Sequence, residues 1–410
     1  MVSAFEAEMQ PVAASWAAAA LGEQGLEVSG WDAHMFPDRA PTDRFDLVLV
    51  SVQQFEGLER GLELARKFRS EDRAGTVIAF GQYARLNASA FLGATDGVLM
   101  VEPEFAGSAL ADCVAGRSQI RAVPGLLTRQ GMTPPPPRRR ISVRAPARSL
   151  FPSLAHYPAH HTSFGLMGNI EVSRGCHHKC TYCSVYGAYG GGVAAYEADV
   201  VVADAKDLAE QGVRHFMFID AEFFNSRRLG VQVAEQIARE IPGVTFEMTT
   251  RIDHILDYTD ELTRLVSLGL RRVTSALEFP SDRVLRIFDK GIDVADMRQA
   301  IAEAARLGFE LNPTFIPFTP WVSLEELLGF EDFLVDTGLA ARVDPTVLQT
   351  RLLLFKGSPL LVSPWVEDID TVDRGFWLDW AHPDRRVDQL WEQRRAEAQK
   401  VGKTRCCVKC

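Results

Sequence analysis

Three cysteines carry the first chemistry in this sequence. In Arg174-Gly175-Cys176-His177-His178-Lys179-Cys180-Thr181-Tyr182-Cys183 the thiols are separated by three residues and then by two. One loop with that spacing can wrap a face of a cuboidal 4Fe–4S cluster and leave one iron open. An open iron suits a molecule that must be ligated before it reacts. The other reading is a zinc loop completed by His177 or His178. A second group ends the chain: Arg405-Cys406-Cys407-Val408-Lys409-Cys410, preceded by Lys403. Basic neighbours favour thiolate. Cys406, Cys407 and Cys410 therefore suit a soft three-coordinate ion such as trivalent arsenic. Zinc, copper(I), a second cluster or a dithiol redox pair are the alternatives, and the vicinal pair is awkward for an ordinary disulfide. Cys113 stands alone.

The elements that must position these groups read as α/β. The 410 residues suit two or three domains. At 47% apolar and 24% charged, the chain is neither disordered nor fibrous. With 54 acidic against 44 basic residues, a net charge of −10 argues against a nucleic-acid-binding surface. The apolar stretch Val12–Leu21 is too short to span a membrane, and no basic segment precedes it. The expectation is a cytoplasmic protein, with no nucleic-acid or membrane partner. In that compartment clustered cysteines serve metals or redox chemistry.

Strands at Leu26–Trp31, Phe45–Val52, Thr76–Phe80 and Gly97–Val101 alternate with helices at Pro11–Gly22 and Leu58–Phe68. They imply a parallel sheet, opened by a short strand at Val2–Phe5. Gly131–Ala147, with Pro134–Pro137 and Arg138–Arg140, reads as a stiff linker. Six further strands then alternate with helices: Asn169–Ser173, Val213–Ile219, Val244–Thr249, Arg271–Leu277, Phe309–Ile316 and Val347–Leu354. That pattern predicts a partial (β/α)6 barrel with its chemistry at the carboxyl ends of the strands. The predicted layout is a Rossmann-like domain over 1–125, a Pro/Arg-rich linker over 126–160, the barrel over 161–365 and a C-terminal extension with the cysteine tail over 366–410.

The cysteine loop and barrel pattern resemble the radical S-adenosylmethionine (SAM) superfamily over roughly residues 165–360. The resemblance implies a 4Fe–4S cluster on Cys176, Cys180 and Cys183. It also implies SAM chelated to the open iron, one-electron cleavage of a carbon–sulfur bond, and an electron donor such as a flavodoxin or ferredoxin. Tyr182 matches the aromatic position that helps hold the adenine. Ile219-Asp220-Ala221-Glu222-Phe223-Phe224 is similar to the segment that receives the SAM amino group, which marks Asp220 and Glu222. Asp220 also reads as a helix cap. Arg251 reads as a partner of the SAM carboxylate or as a surface ion pair. Glu278 and Ser281 match the Glu-Ser-Gly-Ser of the cobalamin-domain branch, where both contact SAM, but Phe279-Pro280 replaces Ser-Gly. Thr314 and Arg351 lie at later strand ends and could face the pocket.

Residues 1–125 resemble the cobalamin-binding domain of that branch in degenerate form. The cobalt-ligating Asp-x-His-x-x-Gly is missing from the first loop, Phe5–Pro11, and His34 reads as a surface residue. A structural domain without histidine-ligated cobalt is expected. The whole layout, with its tail, is similar to the radical SAM proteins of bacterial arsinothricin biosynthesis, whose tail reads Arg-Cys-Cys-Leu-Lys-Cys. Only Val408 departs. The implied activity is transfer of the 3-amino-3-carboxypropyl group of SAM to trivalent arsenic held by the tail, giving hydroxyarsinothricin. Two other readings stand beside it. One is a radical SAM methyltransferase or peptide-modifying enzyme that uses a 5′-deoxyadenosyl radical, its tail a second cluster or redox site. The other is a non-enzymatic metalloid-binding protein.

Overall fold

The computed structural model describes residues 1–137 and 140–400. Arg138 and Arg139 of the basic run and the whole cysteine tail lie outside them. The described chain divides into two compact units. One comprises residues 1–175, 192–220 and 226–244; the other comprises 176–191, 221–225 and the remainder from Thr245.

The first unit opens with β1 (Val2–Ser3), β2 (Trp31–Asp32), β3 (Phe45–Ser51), β4 (Ala74–Phe80), β5 (Gly97–Leu99), β6 (Leu126–Thr128) and β7 (Gly131–Met132). Their order is β2-β1-β3-β4-β5-β6-β7. Pairing is parallel from β2 through β5 and antiparallel from β5 to β7. Runs such as Val48-Leu49-Val50 and Val77-Ile78-Ala79-Phe80 are 2% exposed or less, as strands covered on both faces require. The predicted strand at Leu26–Trp31 survives only as β2. Leu26, Val28, Leu49, Ile78, Phe80, Leu99 and Leu110 join one apolar cluster. Each large side chain fully buried in such a cluster stabilises the fold by roughly 1.5–3 kcal/mol.

The alanine-rich helix Val12–Gly22 is buried along most of its length and packs on the helix Pro103–Val114. Gly107 makes that approach possible, since a Cβ there would stand 3.2 Å from the Ala20 carbonyl oxygen. The same unit holds β8 (His161–Thr162), β9 (Gly165–Ile170), β10 (Ser173–Gly175), β11 (Val193–Ala195) and β12 (His215–Phe218). β9 pairs antiparallel with β8 and parallel with β12, and β10 pairs antiparallel with β11.

In the second unit β13 (Thr245–Thr249), β14 (Leu270–Glu278) and β15 (Glu310–Phe315) are parallel neighbours. Their alternation is plain. Phe246, Met248, Val273, Leu277, Leu311 and Phe315 are buried on one face. The other face carries the aligned polar rows Glu247–Arg272–Glu310 and Thr249–Thr274–Asn312. Arg272 ion-pairs with Glu247 at 3.3 Å and with Glu310 at 3.2 Å. β15 contains Pro313, which has no N–H to give.

The predicted sixth strand, Val347–Leu354, does not form. Val347–Gln349 is a 3₁₀ turn, and only a parallel bridge, Phe318 to Arg351, marks the strand position. Its carbonyls are taken by indoles: Trp391 Nε1 donates to Gln349 O at 3.0 Å, and Trp380 Nε1 to Leu352 O at 2.8 Å. β16 (Leu354–Phe355), β17 (Thr371–Asp373) and β18 (Trp377–Trp380) instead make a small antiparallel sheet in the order β16-β18-β17. Arg351 does not project to a strand-end pocket. Its guanidinium lies between Trp380 and Trp391, 3.6 and 4.6 Å from the ring centres, and pairs with Asp388 at 2.8 Å.

Candidate active site

Cys176, Cys180 and Cys183 lie on the loop that opens the second unit. Thr181 pins the loop's middle. Its N–H donates to Phe288 O at 3.0 Å, its hydroxyl to Ile287 O at 2.9 Å, and its carbonyl accepts from Ser358 and Leu360 at 2.9 Å each. Cys183 caps the short helix Ser184–Tyr189, which closes at Gly190 in the left-handed region. Burial pushes the Cys183 thiol up to about 11, against the pull of the Tyr186 and Val185 N–H groups, and Cys180 and Cys176 add to the rise. Burial raises the Cys176 thiol too, with Glu222 and Cys180 contributing. The thiols are thus near enough to act on one another. Yet among the described residues no three His, Cys, Asp or Glu side chains converge on a single ion. A four-iron cluster is larger than one ion and spreads its ligands further apart. The donor set, three soft sulfurs of which Cys180 is buried and Cys176 and Cys183 are half-buried, fits such a cluster.

Each remaining candidate has a definite place. Arg251, just past β13, donates from Nη1 to Cys180 Sγ at 3.3 Å. The same guanidinium grips Asp253 through Nε and Nη2 at 2.8 Å each and donates to the Lys290 carbonyl. Burial alone would lower its pKa; the Asp253 carboxylate outweighs that and holds it above the usual value. Glu222 is 1% exposed. Its Oε1 accepts from Thr250 Oγ1 at 2.7 Å and Phe224 N at 3.0 Å, and Oε2 accepts from Arg251 N at 2.8 Å. His254 Nδ1 stands 3.0 Å from Oε1. This carboxylate ties the 221–225 segment to the end of β13. Tyr182 donates its phenol to Glu278, and its ring tilts over Phe288 with centres 4.2 Å apart. Ser281 donates to Glu326 at 2.7 Å. Thr314 lies on β15 opposite Ala276 of β14, half-buried.

Asp220 belongs to the first unit and serves its backbone. Its carboxylate accepts from Val172 N at 3.0 Å, Ser173 N at 2.6 Å and Ser173 Oγ at 2.7 Å. Burial pushes it up to about 7 even so. His34 is exposed, edge-on to Phe5 at 4.6 Å. The Phe5–Pro11 loop is tied down within its own unit. Gln10 N donates to His160 Nε2 at 2.9 Å, and Met9 packs with Met167. His160 Nδ1 is 2.8 Å from Met167 O, so both its nitrogens are engaged. Neither that loop nor His160 offers a free imidazole to a cobalt.

Sequence reasoning missed Lys290, Asp253, His254 and Asn225. Lys290 is 4% exposed and donates to Glu278 at 2.7 Å and to Tyr182 Oη at 3.2 Å. Burial lowers its pKa, but Glu278 and then Cys180 raise it above the ordinary value. Asn225 accepts from His177 N at 3.1 Å. None sits at a strand end within a recognisable run. The one local signal is the turn Asp289-Lys290-Gly291, where the flanking residues have φ of 51° and 72°.

Residues 170–334 match the family model of the radical SAM superfamily. The matched segment, which contains the cysteine loop, is similar to a radical SAM domain. Proteins of that superfamily use a 4Fe–4S cluster and SAM, and the thiols of Cys176, Cys180 and Cys183 fit such a cluster by their chemistry. Among curated proteins, the hopanoid C-3 methylase of Methylococcus capsulatus is 26% identical over 68% of this chain and 54% of its own length. The chain spans about half the length of the curated relatives it matches. Among solved structures, the cobalamin-dependent radical SAM enzyme OxsB superposes with a TM-score of 0.75 at 14% identity, covering 98% of this chain and 66% of that one. The radical SAM methyltransferase TsrM from Kitasatospora setae gives 0.65 at 18%, covering 82% and 70%. These likenesses establish the α/β fold. Among the described residues no helix is long and apolar enough to cross a membrane.

Proposed function

We propose that this protein is a transferase that moves the 3-amino-3-carboxypropyl group of SAM to trivalent arsenic, forming hydroxyarsinothricin. The observation that carries the reading is the tail Arg405-Cys406-Cys407-Val408-Lys409-Cys410 on a chain with a segment similar to a radical SAM domain. Soft thiolates with cationic neighbours capture a soft metalloid. One electron breaks the carbon–sulfur bond on the methionine side of SAM, methylthioadenosine leaves, the aminocarboxypropyl carbon bonds to arsenic, and arsenic gives that electron back as it rises from trivalent to pentavalent. When bound, the cluster supplies the electron and an open iron for SAM. The chain's own residues hold the reactants. Cys176, Cys180 and Cys183 present the cluster, and Arg251 faces Cys180. Glu278, Tyr182 and Lys290 form a polar wall beside the loop, and the polar face of β13–β15 offers hydrogen bonds to a small hydroxylated acceptor. An external donor of the flavodoxin or ferredoxin type supplies the reducing equivalent.

A second reading follows from the methylase relatives: radical methyl transfer, with cobalamin as the carrier. The missing histidine in the Phe5–Pro11 loop counts against a His-ligated cobalt, and no step here passes through cobalamin. Anaerobic incubation of the full-length, reconstituted protein with SAM, reductant and trivalent arsenic separates the readings by product mass. Methylthioadenosine with an arsenic-bearing amino acid supports arsenic transfer. S-adenosylhomocysteine or 5′-deoxyadenosine, with no arsenic product, refutes it. A Cys406/Cys407/Cys410→Ser triple variant should keep its iron and lose product at limiting arsenic, with partial recovery when arsenic is raised. A wild-type product rate in that variant means capture lies elsewhere.

A further inference from the structure

Behind the cluster loop the second unit places a cation on a sulfur. Arg251 Nη1 lies 3.3 Å from Cys180 Sγ, and the rest of the guanidinium is fixed by a two-point grip on Asp253 and a bond to the Lys290 carbonyl. The Arg251 side chain is 10% exposed and that of Asp253 29%. Lys290 adds a second buried cation, bound to Glu278 and Tyr182. Arg251 meets Asp253 through Nε and Nη2 and keeps Nη1 for the sulfur, so Cys180 meets an N–H of a charged group. A cluster gains negative charge on reduction. A cation and an N–H···S bond at one of its ligands stabilise the reduced form more than the oxidised one, and burial strengthens the effect.

We propose that Arg251 is a positioning residue that raises the reduction potential of the cluster by donating to the Cys180 sulfur, with Asp253 and the Lys290 backbone holding it in place. It gives up no proton and carries no electron. The role is independent of the acceptor: it applies equally to arsenic transfer and to methyl transfer, so the product assay and this test fail separately.

The test is a redox titration of the full-length, reconstituted protein against a dithionite-poised mediator set, read by the electron paramagnetic resonance of the reduced cluster. Arg251→Gln should retain about four irons per chain and lower the equilibrium constant for one-electron reduction about tenfold, a downward shift of about 59 mV. Arg251→Lys, which keeps the charge but not the planar fork, should fall between the two. A merely structural role would cost iron or stability in these variants and leave the potential of the loaded fraction in place. A wild-type potential in loaded Arg251→Gln overturns the proposal. If that variant takes up no iron, Arg251→Lys decides alone, and a wild-type potential there overturns the proposal.

Discussion

Glu222→Gln isolates what the saturated carboxylate at the end of β13 contributes. In the native protein its oxygens take Thr250 Oγ1, Phe224 N, Arg251 N and a contact from His254 Nδ1, all at 2.7–3.0 Å, and the residue is 1% exposed. A glutamine keeps one acceptor oxygen, which can still serve the three groups now on Oε1. Its amide nitrogen then meets the Arg251 N–H, donor against donor. A buried N–H left without a partner costs roughly 1–3 kcal/mol, and the surviving bonds lose the advantage of a charged acceptor, about 1 kcal/mol more. The expected loss is about 3 kcal/mol. It should appear in the cluster-free protein as a lower denaturant midpoint for the transition of the second unit, with the slope unchanged. No SAM is needed to see it, because the donors all belong to the chain. An unchanged midpoint in the cluster-free variant, together with SAM binding weakened tenfold in the loaded one, would refute the reasoning and assign the carboxylate to the SAM amino group.

Two further predictions concern the first unit. Burial first, then Asp32 and Glu171, pushes Glu6 up to about 8 from an ordinary value of 4.5. The folded state therefore holds a proton that the unfolded state has released, and stability falls as pH rises from about 4.5 to about 8, by about 1 kcal/mol per pH unit. Glu6→Gln should flatten that slope by about this amount between pH 6 and 8, as followed by denaturation at each pH. An equal slope in the variant counts against a protonated Glu6. Arg148 bonds Asp204 at 2.6 and 2.8 Å with both side chains below a tenth exposed. Arg148→Met leaves a buried carboxylate alone and should cost about 3–5 kcal/mol, while Arg148→Met with Asp204→Leu should recover most of the loss in thermal unfolding.

The cysteine loop was legible because its three thiols lie within eight residues and a strand precedes them. Local spacing carries that information, and so does the alternation that set β13, β14 and β15 on their buried face. The rest depends on contacts distant in sequence. Arg251 was legible as a charged strand-end residue, but not that its fork would close on Asp253 two residues on and leave one nitrogen for a thiol 71 residues back. Lys290 reaches Glu278 from a turn twelve residues later, with no periodicity to announce it. The Val347–Leu354 run has strand composition. It is drawn into a turn because two tryptophans from the C-terminal region, Trp380 and Trp391, claim its carbonyls and sandwich Arg351. Composition alone cannot report a competing side-chain donor 28 or 42 residues away.

The departure from the Glu-Ser-Gly-Ser pattern coincides with the most unusual backbone in the second unit. Proline at 280 disfavours the helical region for Phe279, which must stay extended. The chain nevertheless has to turn out of β14, and a bulge falls between Ala276 and Glu278. The turn is taken at Glu278 itself, at φ 65°, a region that costs a side-chain-bearing residue about 1–2 kcal/mol. In the Ser-Gly version a glycine two residues later offers a freer place for it. Three contacts offset the strain. The Glu278 carbonyl accepts from Ile316 N at 2.6 Å, its carboxylate accepts from Lys290 at 2.7 Å, and Tyr182 donates its phenol to the same oxygen. The left-handed turn thus directs the carboxylate toward the tyrosine of the cluster loop and a buried lysine. With Phe279-Pro280 after it, Glu278 takes the left-handed turn itself, and its carboxylate is held by Lys290 and Tyr182.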